Sequence, residues 1–210
     1  MLVPPGDSPT AVRSHEMFVS DLRHFLDLPE DVPGPARRMA ERLTLIVRAA
    51  TAGDAGAEWV SALICDRRPG HRPCAGHLAV LRTDVPPSIA WHCTSCGDEG
   101  VISGWEQSPY DLRARHPRPR STAGRRVVIP ADTTATLRRL ELLDSDSERL
   151  VFRAEALEAG IALIGDDDDF DELLGYVAAE ANHESDRRRQ RRLDDAFEVL
   201  TRAIDAPRRT

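Results

Sequence analysis

The sequence predicts an α+β chain: an N-terminal helical hairpin, a small antiparallel sheet at its centre, and a C-terminal α+β region ending in long helices. Three patterns carry that expectation. Apolar residues recur at helical spacing near both ends, short apolar alternations broken by glycine and proline fill the centre, and a strand-like pair precedes the last helical stripe.

Phe18, Leu22, Phe25 and Leu26 fall at i, i+4, i+7 and i+8, and Met39, Leu43, Ile46 and Val47 repeat the spacing. Between them LPEDVPGP is a turn cluster whose Gly34 and Pro35 suit a helix start, and Gly53 and Gly56 suit its stop. Residues 12–56 therefore read as two helices. HLAVLR, SIAWHC and GVISGW read as three strands, the middle one placing Ile89, Trp91 and Cys93 on one face. Residues 107–124, rich in proline and arginine and poor in apolar groups, read as a flexible linker. In the C-terminal region, residues 125–206, RRVVIP reads as a strand. A helix carrying Leu137 and Leu140 follows, then RLVFRA and IALIG as a loose hairpin through Gly160. Residues 168–204 keep helical period as one long helix or two consecutive ones.

At 210 residues, with 41% hydrophobic and 30% charged residues, the composition is globular rather than disordered. All 28 basic residues are arginine, and a protein of bacterial type is the expectation. No apolar run approaches the roughly 20 residues that span a bilayer, and MLVPPGDSPT has neither the basic nor the apolar region of a secretory signal. A cytoplasmic location with no membrane association is therefore expected, and reduced thiols with it. The net charge of −7 is uneven: residues 65–126 carry 10 arginines against 6 acids, whereas residues 127–210 carry 20 acids against 12 arginines. The basic centre suits an anionic partner, and the acidic C-terminal region argues against the whole chain coating nucleic acid.

All four cysteines lie in that centre, as C-x8-C-x18-C-x2-C: Cys65, Cys74, Cys93 and Cys96. Four thiolates suit one tetrahedral Zn²⁺, a d¹⁰ ion that accepts soft sulfur ligands. The two-residue gap forces the chain to turn back on the ion, and Gly97 tolerates the positive φ such a turn needs. Cys65, in the apolar run SALIC, has a second reading as a buried small residue, and His71, His77 or His92 could each replace one cysteine. CTSCG followed by GVISGW resembles the second knuckle and return strand of a zinc ribbon. The resemblance spans about a quarter of the chain and marks residues 59–106 as a zinc-ribbon-like module. CDRRPGHRPC departs from it, since zinc ribbons repeat C-x2-C there. Such a site is structural: four sulfurs leave no open position for water.

Arg67, Arg68 and Arg72 between the first two cysteines read as offsetting the charge of the thiolates or as plainly solvated, with phosphate contact the alternative. Arg187, Arg188 and Arg191, with Arg189 and Arg192, form a second basic cluster. Asp186, Asp194 and Asp195 stand at pairing distance along a helix. Trp91 and Trp105 read as core or as a stacking platform for bases. GDDDDFDELLGY lacks the glycine and terminal glutamate of a calcium loop and reads as an acidic helix start. Glu180 and His183 have no second Glu-x-x-His to complete a di-iron site. No H-x-E beside the C-x2-C, H-E-x-x-H, G-x-S-x-G or phosphate-cradling glycine loop is present. The function expected is therefore a non-enzymatic, zinc-stabilised binding or adaptor protein acting through protein–protein contacts. A nucleic-acid-associated regulator using the basic module is the alternative, and a metal-dependent hydrolase the second alternative.

Overall fold

A computed structural model of the chain describes residues 17–29, 31–113 and 124–206. It is an α+β fold built on one eight-stranded mixed sheet in the order β1-β5-β4-β3-β2-β7-β8-β6. The strands are β1 Phe18–Asp21, β2 Glu58–Ile64, β3 His77–Asp84, β4 Pro87–Cys93, β5 Glu99–Ser103, β6 Arg125–Ile129, β7 Glu155–Leu157 and β8 Gly160–Gly165. The helices are α1 Gly34–Ala52, α2 Ala131–Leu137, α3 Ser145–Phe152, α4 Asp167–His183 and α5 Arg187–Asp205.

Helix α1 lies across the cysteine-bearing half of the sheet. Its buried stripe of Leu43, Ile46, Val47 and Ala50 meets Leu63, Leu78, Val80, Ile89, Trp91 and Ile102. It begins at Gly34–Pro35 and stops at Gly53, as the sequence predicts, and a Cβ at Gly53 would meet the Trp59 indole. A second core gathers Val127, Ile129, Leu137, Val151, Ile161, Leu163, Phe170, Leu173, Val177, Leu193 and Leu200 around the C-terminal helices. Asp166 caps α4 through a capping box with Asp169, so the aspartate run is a helix start.

Four expectations are corrected. The first helix of the N-terminal hairpin is absent: residues 18–21 form strand β1 and residues 22–25 a single 3-10 turn. Parallel pairing of Phe18–Asp21 with Gly100–Ser103 outcompetes a helix too short to be stable alone, and of the spaced apolar residues only Leu22 is fully buried. Residues 149–152 of RLVFRA are helical rather than extended, because Asp144 accepts a hydrogen bond from the Ser147 N–H and starts α3 at Ser145. The cysteine-bearing strands are antiparallel as expected but do not form a sheet of their own. β2 continues the sheet into the C-terminal strands by pairing Ser61 with Glu155, and the Ala62 N–H donates to Ala154 O at 2.9 Å. Finally, residues 107–113 are packed rather than loose. Leu112 is buried, and its N–H donates to Thr51 Oγ1 at 2.9 Å. Residues 114–123 of the expected linker, and 12–16 of the expected hairpin, lie outside the described residues.

Candidate metal centre

The metal centre is built at one end of strands β2, β3 and β4. Cys65 follows β2 and Cys93 ends β4, while Cys74 precedes β3 and Cys96 occupies the turn after β4. The pairing of β2 with β3 continues past the strand ends: the Cys65 N–H donates to Gly76 O at 2.8 Å and the Cys74 N–H to Arg67 O at 2.9 Å. C-x8-C is therefore an extended hairpin finger. The residues between rungs, 68–73, bulge away as an exposed tip in which Gly70 and His71 have positive φ. At the other knuckle the Cys93 N–H donates to Asp98 O at 2.7 Å, and Gly97 has φ +70°.

These constraints bring the four sulfurs within 4.8 Å of one another. Cys65 Sγ and Cys96 Sγ are 3.7 Å apart, as are Cys74 Sγ and Cys93 Sγ. A tetrahedron with metal–sulfur distances near 2.3 Å has edges of about 3.8 Å, so the donor set fits one ion. The backbone supports it. N–H groups of Gly76 and Ser95 lie 3.4 Å from Cys74 Sγ and Cys93 Sγ, and Cys96 N–H lies 3.5 Å from Cys93 Sγ. Arg67 and Asp98 supply equivalent N–H groups to Cys65 and Cys96. Each sulfur thus receives an N–H from two residues downstream.

The thiols divide electrostatically. Burial pushes the Cys65 thiol up, against the Arg67 N–H and reinforced by Cys93 and Cys96, and burial also raises Cys96. Burial raises Cys93 as well, but the N–H groups of Cys96 and Ser95 and the neighbouring thiols outweigh it and hold it at about 7. Four thiolates this close require a cation among them; without one, burial is the main force that keeps the Cys65 and Cys96 protons on.

His71, His77 and His92 do not join the set. His71 is exposed at the finger tip, and His92 Nδ1 lies 3.8 Å from a Glu58 carboxylate. Arg67 Nε faces Asp98 at 3.5 Å rather than a sulfur, and Arg68 and Arg72 are exposed without a carboxylate partner among the described residues. Arg187, Arg188 and Arg191 are exposed on α5, which packs on α4, α2 and β6, away from the metal loops. Asp186 caps that helix by accepting from Arg188 N–H, so the expected pairing through Asp186, Asp194 and Asp195 is replaced by Arg189 reaching Glu180, Glu184 and Glu141. His183 is exposed. Trp91 and Trp105 are buried, each beneath an arginine: Arg42 at 4.5 Å and Arg113 at 4.6 Å from the ring centres.

Sequence reasoning missed Arg42. From α1 it pairs with Asp66 at 2.5 Å and Asp98 at 2.8 Å, each one or two residues beyond a cysteine ligand. It therefore ties the helix to both knuckles. The signal was present as an aspartate after Cys65 and after Cys96-Gly97, but the partner lies 24 residues upstream of the first. No protein-family model, curated protein or solved structure matches the chain. Among the described residues no helix is long and apolar enough to cross a membrane.

Proposed function

We propose that the chain is a non-enzymatic binding or adaptor protein, stabilised by one structural Zn²⁺ on Cys65, Cys74, Cys93 and Cys96 in a zinc-ribbon-like finger, and that it acts through contacts with another protein. Zinc is the ion a buried four-sulfur tetrahedron suits best, and four sulfurs leave no position at which a water could be activated. That removes support from the hydrolase alternative.

One observation carries the binding role. Opposite α1, the sheet bears a cross-strand row in which Leu81, Ala90, Val101 and Val19 are register partners. Val19 is 71% exposed and the other three are half-buried, while Val60 and Ile64 add apolar surface on the same face of β2. Scattered apolar residues need no explanation, whereas a contiguous apolar row across four strands supports a docking role for this face. Glu58, His92 and Glu99 at its edge fit the polar rim of an interface.

Photo-crosslinking in the host, from a probe at Val19, tests the reading. One dominant protein adduct, insensitive to nuclease and lost in a Val60→Glu/Val101→Glu variant that keeps its zinc, is the expected result. Nucleic-acid adducts, or an adduct unaffected by the substitutions, would overturn it. The nucleic-acid reading rests on Arg68 and Arg72 of the finger. It requires salt-dependent gel shifts, because buried Trp91 and Trp105 provide no platform for bases.

A further inference from the structure

Beside the finger lies a cleft of about 880 Å³, within the roughly 300–1,000 Å³ typical of ligand sites. Arg38, Met39 and Arg42 of α1 line one wall, and Arg68, Pro69 and Asp98 belong to the other. Its charges are not equivalent. Arg42 is spent on Asp66 and Asp98, and Arg67 shares Asp98. Arg38 and Arg68, exposed and on opposite walls, have no carboxylate partner among the described residues.

The end of α1 that forms this wall is electrostatically incomplete. Pro33 offers no side-chain cap, and the first turn contains no acidic residue. Instead, an Arg38 guanidinium nitrogen lies only 3.2 Å from where a Gly34 side chain would begin. A cation beside a helix N-terminus opposes the helix dipole, although the first-turn N–H groups of Ala36 and Arg37 are satisfied by Pro33 O. An anion entering the cleft would offset that uncompensated positive charge.

We propose that this cleft binds an acidic peptide segment of a partner protein, with carboxylates on Arg38 and Arg68 and an apolar side chain on Met39 and Pro69. The mixed lining selects a peptide over a nucleic acid. Asp98 lies within it and the thiolate centre beside it, so a strand with a charge at every phosphate meets repulsion that spaced carboxylates avoid. This deepens the binding-protein reading at a site distinct from the open sheet face, so the two fail separately: crosslinking at Val19 does not depend on Arg38 or Arg68.

The test is fluorescence anisotropy of the full, zinc-loaded chain with a labelled nine-residue peptide of aspartate, glutamate and leucine. Its amide counterpart, of asparagine, glutamine and leucine, and a nine-nucleotide oligothymidylate serve as comparisons. The acidic peptide should bind saturably, the amide peptide should not, and Arg38→Glu/Arg68→Glu should weaken binding by about tenfold or more with zinc content unchanged. Arg72→Glu, on the finger but outside the cleft, should stay within about twofold. Equal binding of the amide peptide, a cleft variant within twofold of the parent, or tighter oligothymidylate binding abolished by the same variant would each overturn the proposal.

Discussion

Replacing Gly76 with alanine tests the metal centre without touching a ligand. The residue is buried where the β2–β3 ladder passes the sulfurs, accepting from the Cys65 N–H and donating to Cys74 Sγ. A Cβ there would lie 2.6 Å from Cys93 Sγ, 2.5 Å from Ser95 Cβ and 3.0 Å from the Ser95 nitrogen. Ordinary contacts begin near about 3.5 Å, so the sulfur must retreat by roughly 1 Å or the knuckle backbone must shift. Overpacking of that kind costs about 1–3 kcal/mol. Metal–sulfur distances tolerate only about ±0.2 Å, so the displacement also falls on coordination. Gly76→Ala should therefore weaken metal binding about 10- to 100-fold, equivalent to about 1.4–2.7 kcal/mol, read by competition with a chromophoric chelator. The melting temperature of the loaded protein should fall with it. Affinity within about threefold of the parent, with an unchanged melt, would refute the placement of Gly76 against Cys93.

The same substitution at Gly175, exposed in α4 with nothing within 4 Å of a new Cβ, should stabilise by about 0.4–1 kcal/mol in urea melts. Asp111 provides a pH test: burial raises its carboxyl, but the Arg113 side chain and the N–H groups of Arg113 and Gln107 outweigh that and hold it below its usual 3.8. Its stabilisation is complete above 3.8 and lost as pH falls through the lower folded value, so Asp111→Asn should flatten the acid limb relative to the parent below pH 3.8. Arg189→Ala should cost about 1–3 kcal/mol, because Glu180, only 6% exposed, keeps the Glu141 N–H but loses its cation; a cost under 0.5 kcal/mol would remove that role.

The sequence made α1, β3, β4, β5, β6, β8 and the four ligands legible, because each rests on a local signal: a period, a turn residue or a cysteine spacing. What it concealed depends on distant partners. β1 is extended because Gly100, 82 residues beyond Phe18, has no side chain; a Cβ there would sit 2.5 Å from Phe18 O. Tyr110 and Leu112 fold residues 107–113 over the end of α1 through Thr51, an anchor that a proline- and arginine-rich composition masks. In α3, the apolar run LVF reads as strand by composition, and the decisive signal was the aspartate cap upstream.

The arginines resolve into two populations once the centre is assembled, and the division explains how an eight-residue gap can serve where a two-residue gap usually does. A tight knuckle supplies its own N–H donors. The wide one supplies them by running the β2–β3 ladder past the sulfurs, so that Arg67 and Gly76 stand to Cys65 and Cys74 as Ser95 and Asp98 stand to Cys93 and Cys96. The sulfurs therefore need no guanidinium. Arg42 and Arg67 instead neutralise Asp66 and Asp98, which fixes both knuckles to α1. The residues freed from that duty, Arg38 on the helix and Arg68 and Arg72 on the finger, remain at the surface with their charges uncompensated.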